Sequence, residues 1–314
     1  MTEPATAAPS LLIDTDPGVD DALAILMAHA HADVVALSVA AGNTGLQYTV
    51  RNACTLVDLL DAATPVYAGC PLPLVRAPLE DAVQVHGTDG FGDIGLPAPA
   101  AAPLAEHAAA ALIRLTRERP GELTLVALAP LTNIALAVRL DPQLPQRVKR
   151  LLVMGGAVHG DGNIMRTPAE FNIGFDPEAA HVVFDAFPSL DLVDWELCLR
   201  HAFADEDFDA WLAAGDARAR LFGRIVGTAR GYNAARGRRG LVAADALAMA
   251  VALAPQMVTR WATHHVDVEL DGGLTRGMTV VDWEDRLGLP ANARIAMDVD
   301  QAQFATLVRS ALGA

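Results

Sequence analysis

The sequence predicts an α/β fold: a single domain in which a doubly wound, mostly parallel sheet is flanked by helices. Short runs that are apolar throughout recur along the chain, and helix-like segments rich in Ala and Leu separate them. Strands that are apolar on both faces are typical of a parallel sheet covered on both sides. The 314 residues, 52% hydrophobic and 19% charged, also supply enough apolar material for a large core.

Six short apolar runs are predicted to be the strands of this sheet. Their ranges are 11–14, 34–40, 65–69, 123–129, 150–156 and 190–195. Helices are predicted at 21–31, 48–62, 105–118, 132–140, 177–186 and 301–312. This alternation of strands and helices is what a doubly wound sheet requires.

Three further segments complete the expected organisation. Residues 1–10 are expected to be a disordered lead-in, so that the domain spans 11–314. Residues 202–239 favour helices with charged faces and a Gly/Arg-rich turn, and we expect them to be a helical insertion near the active site. Residues 263–283 resemble a hairpin with Asp-Gly-Gly as its turn.

The amino-acid composition indicates which binding partners and which cellular compartment to expect. A net charge of −15 argues against nucleic acid, whose phosphates would be repelled. No apolar run reaches the roughly 20 residues of a membrane helix, and the N-terminus lacks the basic region and apolar core of a signal peptide. Three cysteines without paired spacing are typical of reduced thiols. We therefore expect a cytoplasmic protein that binds neither nucleic acid nor membranes.

Four aspartates, Asp14, Asp16, Asp20 and Asp21, crowd the end of the first predicted strand. Carboxylates so close together need a cation, a shared proton or a helix N-terminus. Asp20 and Asp21 could simply cap the following helix, worth about 0.3–1 kcal/mol each. Asp14 and Asp16 precede that helix, and the four acids together suit a hard divalent cation. Calcium is favoured over magnesium because it tolerates irregular coordination by oxygen ligands.

Other polar motifs also follow predicted strands. They are AGNTG at 41–45, ALAPLTN at 127–133 and VMGGAVHGDGN at 153–163. In open α/β sheets, ligands bind outside the carboxyl ends of the strands. The sequence therefore predicts that these loops and the aspartates form a single site.

Together with AEFNIGFDPEAA at 169–180 and ADALAMAVAL at 244–253, these motifs resemble the nucleoside hydrolase family, also called inosine-uridine preferring nucleoside hydrolases. The motifs occur in the expected order over nearly the whole chain. The resemblance implies calcium-dependent hydrolysis of the N-glycosidic bond of ribonucleosides, which yields ribose and a free nucleobase. It also implies a homodimer or homotetramer.

The resemblance implies roles for individual residues. Asp16, Asp21, Asp245 and the backbone carbonyl of Leu128 match the family's calcium ligands. A carboxylate that touches the attacking water would be the general base, and Asp16 is the candidate. The carboxylates would stabilise an oxocarbenium-like ribosyl centre during attack by water. His86 matches a catalytic and substrate-binding position near the nucleobase. The positions around the ribose are matched by Asp20, Asn43, Asn163, Glu170, Phe171 and Asn172.

The chain departs from the family pattern in two places. Ala244 stands before the last calcium aspartate, where the best-known branch has a histidine that helps the nucleobase leave. The candidates that could take over this role are His86, His201, Tyr232 and Arg236. The second departure is one extra residue between Asn163 and Glu170, which puts the position of Asn163 in question.

Two alternatives remain open. A phosphatase of the haloacid dehalogenase type also begins with a strand and Asp-x-Asp, although here Pro17-Gly18 and a second acidic pair follow at once. Because Ala244 cannot transfer a proton, the chain could instead be a calcium-dependent nucleoside-binding protein with lost or altered turnover. The sequence does not specify the preferred nucleobase.

Overall fold

The computed structural model describes residues 8–78, 80–165, 168–237 and 240–314. Within them, ten strands are assigned. They are Ser10–Thr15 (β1), Asp33–Val39 (β2), Val66–Ala68 (β3), Thr124–Ala127 (β4), Arg150–Met154 (β5), Leu190–Val193 (β6), Val258–His264 (β7), Val266–Val268 (β8), Thr279–Val281 (β9) and Ala293–Val299 (β10).

Eight of these strands form the central sheet, in the order β3-β2-β1-β4-β5-β6-β10-β7. All neighbours pair in parallel except β10 and β7, which are antiparallel. The remaining strands, β8 and β9, form a separate antiparallel pair. The predicted doubly wound, mostly parallel sheet is therefore confirmed.

Helices of the described ranges cover both faces of the sheet. They are Val19–His31 (α1), Leu46–Leu59 (α2), Val83–His86 (α3), Ala108–Glu118 (α4), Thr132–Leu140 (α5), Leu144–Arg147 (α6), Phe171–Phe175 (α7), Pro177–Ala186 (α8), Trp195–Arg200 (α9), Asp205–Ala214 (α10), Ala217–Ile225 (α11), Gly227–Ala235 (α12), Ala244–Leu253 (α13) and Gln301–Leu312 (α14). None of them has the length and apolar character needed to cross a bilayer.

The apolar core consists of two layers, one on each face of the sheet. Leu11 and Ile13 of β1 pack into the layer that contains α1 and α13, whereas Leu12 packs into the layer with α4, α5 and α8. This alternation follows from the two-residue period of a strand, and it explains why β1 is apolar at successive positions.

The predicted helices at 132–140, 177–186 and 301–312 match the structure at both ends. β7 and β10 were missed. β7 is an edge strand with several exposed polar side chains, so it lacks the apolar run by which the other strands were recognised.

The two less regular segments also form as expected. The hairpin exists as β8 and β9, and Asp-Gly-Gly (271–273) lies in the connection between them, which is closed by a hydrogen bond from the Gly277 backbone N–H to the Glu269 carbonyl at 2.7 Å. The insertion begins with α10, α11 and α12. Residues 1–7 of the expected lead-in lie outside the described residues, and Ser10 already belongs to β1.

Candidate active site

The polar motifs meet in one pocket at the carboxyl ends of the parallel strands. We divide its lining into two ends. The carboxylate end follows β1, β2, β4 and β5, and includes Asp20, Asn43, Leu128, Glu170, Asn172 and Asp245. The helical end lies where α3 faces α12, and includes Glu80, Asp81, Gln84, Val85, His86, Trp195, Ala229, Tyr232, Asn233, Leu241, Val242 and Ala244.

Asp21 is held in the first turn of α1 by several donors. Its carboxylate accepts hydrogen bonds from the Thr15 hydroxyl at 2.5 Å, the Gly18 backbone N–H at 3.0 Å and the Asn43 side-chain amide at 3.0 Å. Asp21 therefore does cap the helix, as the simplest interpretation expects. Asp21 is fully buried and does not itself line the pocket, but its carboxylate lies next to those of Asp20 and Asp245, which do.

Asp16 lies beside Asp21 with one oxygen occupied and one free. Its Oδ2 accepts the backbone N–H of Asn43 at 2.6 Å, while its buried Oδ1 has no hydrogen-bond partner. A Cβ on Gly42 would lie 2.1 Å from Asp16 Oδ2, so the loop approaches this closely only because residue 42 is glycine. An unpartnered, buried carboxylate oxygen is what a cation ligand would present.

Three carboxylates converge beside Asp16. Asp20, Asp21 and Asp245 each offer an oxygen atom within 4.8 Å of the other two, close enough to hold a metal ion. Asp245 lies in the first turn of α13, which packs against α1, so two helix N-termini point at the cluster. The structure thus gathers Asp21 and Asp245, predicted as metal ligands, with Asp20, predicted as a sugar ligand.

The electrostatics of this cluster favour a positive charge. Burial raises the pKa of Asp16, Asp21 and Asp245 above the ordinary value, and the negative charges of neighbouring aspartates raise these pKa values further. Burial also raises the pKa of Asp20 to about 6. A divalent cation would allow all four groups to be ionised at neutral pH.

Leu128, whose carbonyl is the predicted metal ligand, lines the same pocket. The Leu128 carbonyl lies at the end of β4 and accepts the side-chain amide of Asn172 at 2.8 Å. The same amide donates to the Met154 carbonyl at 3.3 Å, at the end of β5. Asn172 therefore ties two strand ends together, and a carbonyl oxygen can still offer its second lone pair to another partner.

Glu170 and Asn163 both line the pocket. The Glu170 carboxylate accepts the backbone N–H groups of Gly156, Asn172 and Ile173 at 2.9–3.1 Å, and burial raises its pKa to about 7. Asn163 Oδ1 accepts the backbone N–H of Phe171 at 2.7 Å. The extra loop residue therefore leaves Asn163 at the pocket.

His86 is buried at the boundary between the two ends of the pocket. Its Nδ1 accepts the backbone N–H of Val19 at 3.0 Å, which assigns the proton of the neutral ring to Nε2. Burial lowers the pKa of His86 to about 4. The imidazole is accordingly a neutral hydrogen-bond donor at physiological pH.

The other leaving-group candidates differ in position. Tyr232 is half-buried and lines the pocket. Arg236 is not a lining residue, and its guanidinium carbon lies 3.6 Å from the centroid of the Tyr232 ring. His201 lies elsewhere, against Gln301 at 2.7 Å and Asp298 at 3.0 Å. The structure therefore brings Tyr232 to the pocket and leaves His201 away from it.

Two features of the site were missed from the sequence. Trp195 lines the pocket directly after β6, and the strand-end rule applied to the other motifs would have found it. The second feature is the pair of hydrogen bonds that hold Asp14. Its Oδ1 accepts the Ser38 hydroxyl at 2.5 Å and the Asn133 side-chain amide at 2.9 Å. Ser38 and Asn133 lie far from Asp14 in the sequence, so only the fold reveals this contact.

Comparisons with known proteins agree on one family. Residues 11–306 match the family model described as inosine-uridine preferring nucleoside hydrolase. The chain is 38% identical to the non-specific ribonucleoside hydrolase RihC of Salmonella enteritidis, over 95% of this chain and 96% of the relative. Among solved structures, it resembles an inosine-guanosine nucleoside hydrolase with a TM-score of 0.91 and 31% identity, covering 98% and 99% of the two chains. A plant nucleoside hydrolase, PpNRh1, gives a TM-score of 0.90 with the same identity and coverage.

Proposed function

The chain belongs to the inosine-uridine preferring nucleoside hydrolase family, and from this premise we propose how its pocket works. It is an N-glycosidase that hydrolyses ribonucleosides. We propose that the reaction is calcium-dependent attack by water on an oxocarbenium-like ribosyl centre, with ribose and a free nucleobase as products. The observation that carries this proposal is the convergence of Asp20, Asp21 and Asp245 beside the pocket. Because the chain belongs to this family, the alternative of a haloacid dehalogenase-type phosphatase is rejected.

The proposed calcium ligands are Asp16, Asp21, Asp245 and the carbonyl of Leu128. The unpartnered Oδ1 of Asp16 and the mixture of carboxylate and carbonyl oxygens fit a calcium ion, which accepts such irregular ligand sets. When bound, the ion supplies positive charge that balances the carboxylates and orients oxygen atoms of water and sugar.

The chain's own residues then divide the remaining work. Asp16 accepts the proton of the attacking water. The surrounding carboxylates stabilise the positive charge that develops on the sugar. His86 donates a hydrogen bond from Nε2–H toward the base. The ribose is held by Asp20, Asn43, Asn163, Glu170, Phe171 and Asn172.

Sugar release tests this function. Reducing sugar is measured with uridine, inosine and p-nitrophenyl riboside, before and after EDTA treatment and again after calcium is restored. We expect hydrolysis of the nucleosides, its loss with EDTA and its recovery with calcium. Activity that is unaffected by chelation would contradict the calcium-dependent mechanism.

Ala244 supports a second candidate, a calcium-dependent nucleoside-binding protein without turnover, because its methyl group lines the pocket and cannot move a proton. The same assay separates the two. Tight ribonucleoside binding without cleavage of any substrate, including the activated p-nitrophenyl riboside, would favour the binding protein.

We also propose a cytoplasmic homodimer or homotetramer that binds neither nucleic acid nor membranes. The three cysteines are free and buried, which suits a reducing compartment, and the acidic charge opposes nucleic acid. Light scattering of the purified protein measures its mass, and a monomer would contradict the oligomer.

A further inference from the structure

We propose that Asn52, a residue outside the pocket, positions His86 for departure of the nucleobase. It does so by joining the segment that follows His86 to the segment between β1 and α1. The inference rests on the proposed hydrolysis of ribonucleosides, in which His86 donates a hydrogen bond toward the base, and it adds a positioning residue to that reaction. Two hydrogen bonds from one buried amide carry it.

Asn52 lies on α2, is 3% exposed and is not among the residues that line the pocket. Its side-chain nitrogen donates one hydrogen bond to the Pro17 carbonyl at 2.9 Å and another to the Asp89 carbonyl at 2.8 Å. Pro17 belongs to the aspartate loop, residues 16–18, and Asp89 belongs to the histidine loop, residues 87–93. A buried carbonyl that loses its donor is costly, so this amide fixes the two loops relative to each other.

The aspartate loop passes this constraint on to the site. The carbonyl of the Pro17–Gly18 peptide accepts the amide, and the N–H of the same peptide donates to the Asp21 carboxylate at 3.0 Å. The next N–H, that of Val19, donates to His86 Nδ1 at 3.0 Å. Because a peptide group is planar, a donor at its carbonyl also fixes the direction of its N–H. The amide therefore holds the backbone that orients both side chains.

The histidine loop is compact and folds back onto His86. The Gly92 N–H donates to the His86 carbonyl at 2.8 Å, and the Asp89 carboxylate accepts two further N–H groups of the loop. Gly90 has a φ of +81°, and a Cβ there would lie 2.7 Å from the side-chain nitrogen of Asn52. A loop closed in this way moves as a unit, so a contact at the Asp89 carbonyl also constrains His86.

The direction of the His86 ring matters because Nδ1 is already occupied. Only Nε2–H can reach the base, and a hydrogen bond weakens steeply as its angle departs from linear. The Thr44 hydroxyl also contacts the histidine loop, at the Thr88 carbonyl at 2.8 Å, but this hydrogen bond is exposed and does not reach the aspartate loop. The buried amide of Asn52 joins the two loops directly.

A comparison of two leaving groups tests the proposal. We measure kcat of Asn52→Ala, with calcium present, for uridine, whose base needs help to leave, and for p-nitrophenyl riboside, whose leaving group needs little. The ratio of kcat for uridine to kcat for p-nitrophenyl riboside is expected to fall about tenfold, the loss of a well-directed hydrogen bond. An equal fall for both substrates would overturn the proposal, because a loosened fold affects both alike. A parent protein that hydrolyses neither substrate would instead overturn the proposed function.

Asn292→Ala is the matched control. The Asn292 side-chain nitrogen also joins two distant carbonyls, those of Phe184 at 3.0 Å and Val266 at 2.9 Å, and Asn292 does not line the pocket. This variant should lose stability, measured as Tm, while the ratio of the two kcat values stays at the parent value. A fall in the ratio as large as that of Asn52→Ala would contradict a specific role for Asn52.

A double-mutant cycle tests whether Asn52 acts through His86. His86→Ala should lower the same ratio, and adding Asn52→Ala to it should lower the ratio no further, because the two residues act as a unit. A further fall as large as that seen in the parent protein would contradict the proposal. If Asn52→Ala does not fold, Asn52→Ser, which retains one donor, is measured against both substrates, and the same two outcomes decide.

Discussion

The two ends of the pocket are built in different ways. The carboxylate end rests on the ends of four parallel strands and on two helix N-termini, and its side chains are fixed by short buried hydrogen bonds such as those of Asp21 and Glu170. The helical end consists of the short α3, the insertion helix α12 and residues 241–244, with largely apolar or exposed side chains. If the ribose binds at the carboxylate end, as proposed, we expect strict recognition of the ribose and tolerant recognition of the base.

The largest expected effect comes from a change in the substrate that removes contacts at the carboxylate end only. Removing the 2′-hydroxyl from uridine should lower kcat/KM by about 10⁴-fold, because buried polar groups that bind a substrate hydroxyl are left unpaired. Replacing uracil by cytosine in the riboside should change kcat/KM by about tenfold or less. Steady-state kinetics provide both numbers. A deoxy substrate that reacts as well as uridine would remove the distinction between the two ends.

The proposed base gives the next largest effect. Asp16→Asn should lower kcat by about 10³-fold, since it removes the proton acceptor but keeps the shape of the side chain. Asp14→Asn is the matched control, because Asp14 is equally buried and also has one unpartnered oxygen, but it is not among the proposed calcium ligands. It should retain activity to within about tenfold. Similar losses in the two folded variants would argue against a special role for Asp16.

At the helical end the effects should be smaller and should appear in KM. Trp195→Ala is expected to raise KM for inosine about tenfold, with less change in kcat, because a stacked base is worth about 1–3 kcal/mol. Trp261→Ala, at a tryptophan outside the pocket lining, should leave KM near the parent value. A tenfold loss of kcat with unchanged KM in Trp195→Ala would place Trp195 in the chemical step instead.

The smallest effect concerns stability and pH. Burial raises the pKa values of Asp14, Glu170 and Asp194 to about 7, whereas the unfolded values lie near 4. Between those values the folded state binds more protons, so the free energy of unfolding of the metal-free protein should fall as pH rises through 7. We expect Tm to be a few degrees lower at pH 8 than at pH 5.5.

Calcium should reverse this trend, because it binds the ionised form. Thermal unfolding at both pH values, with EDTA or with calcium, measures the effect. A metal-free protein that gains stability between pH 5.5 and 8 would contradict the raised pKa values.

The same contrast explains how far the sequence could be interpreted. Asp16 and Asp21 could be picked out because they lie between a buried strand and a helix with strong local patterns, whereas Asp245 was predicted as a ligand only from the family resemblance. Glu80 and the Asp14–Ser38–Asn133 contact could not be placed in this way, because they depend on which distant segments the fold brings together. Edge strand β7 was missed for a related reason, since exposure at the sheet edge removes its apolar run.

Isothermal titration of the metal-stripped protein with calcium tests the central claim most directly. The parent chain should bind one ion per chain, with a Kd of about 10⁻⁵ M or tighter. The variant Asp21→Asn/Asp245→Asn, folded by circular dichroism, should show no binding. The absence of calcium binding by the parent protein, or the same affinity in the variant, would contradict the claim that these crowded carboxylates hold a calcium ion.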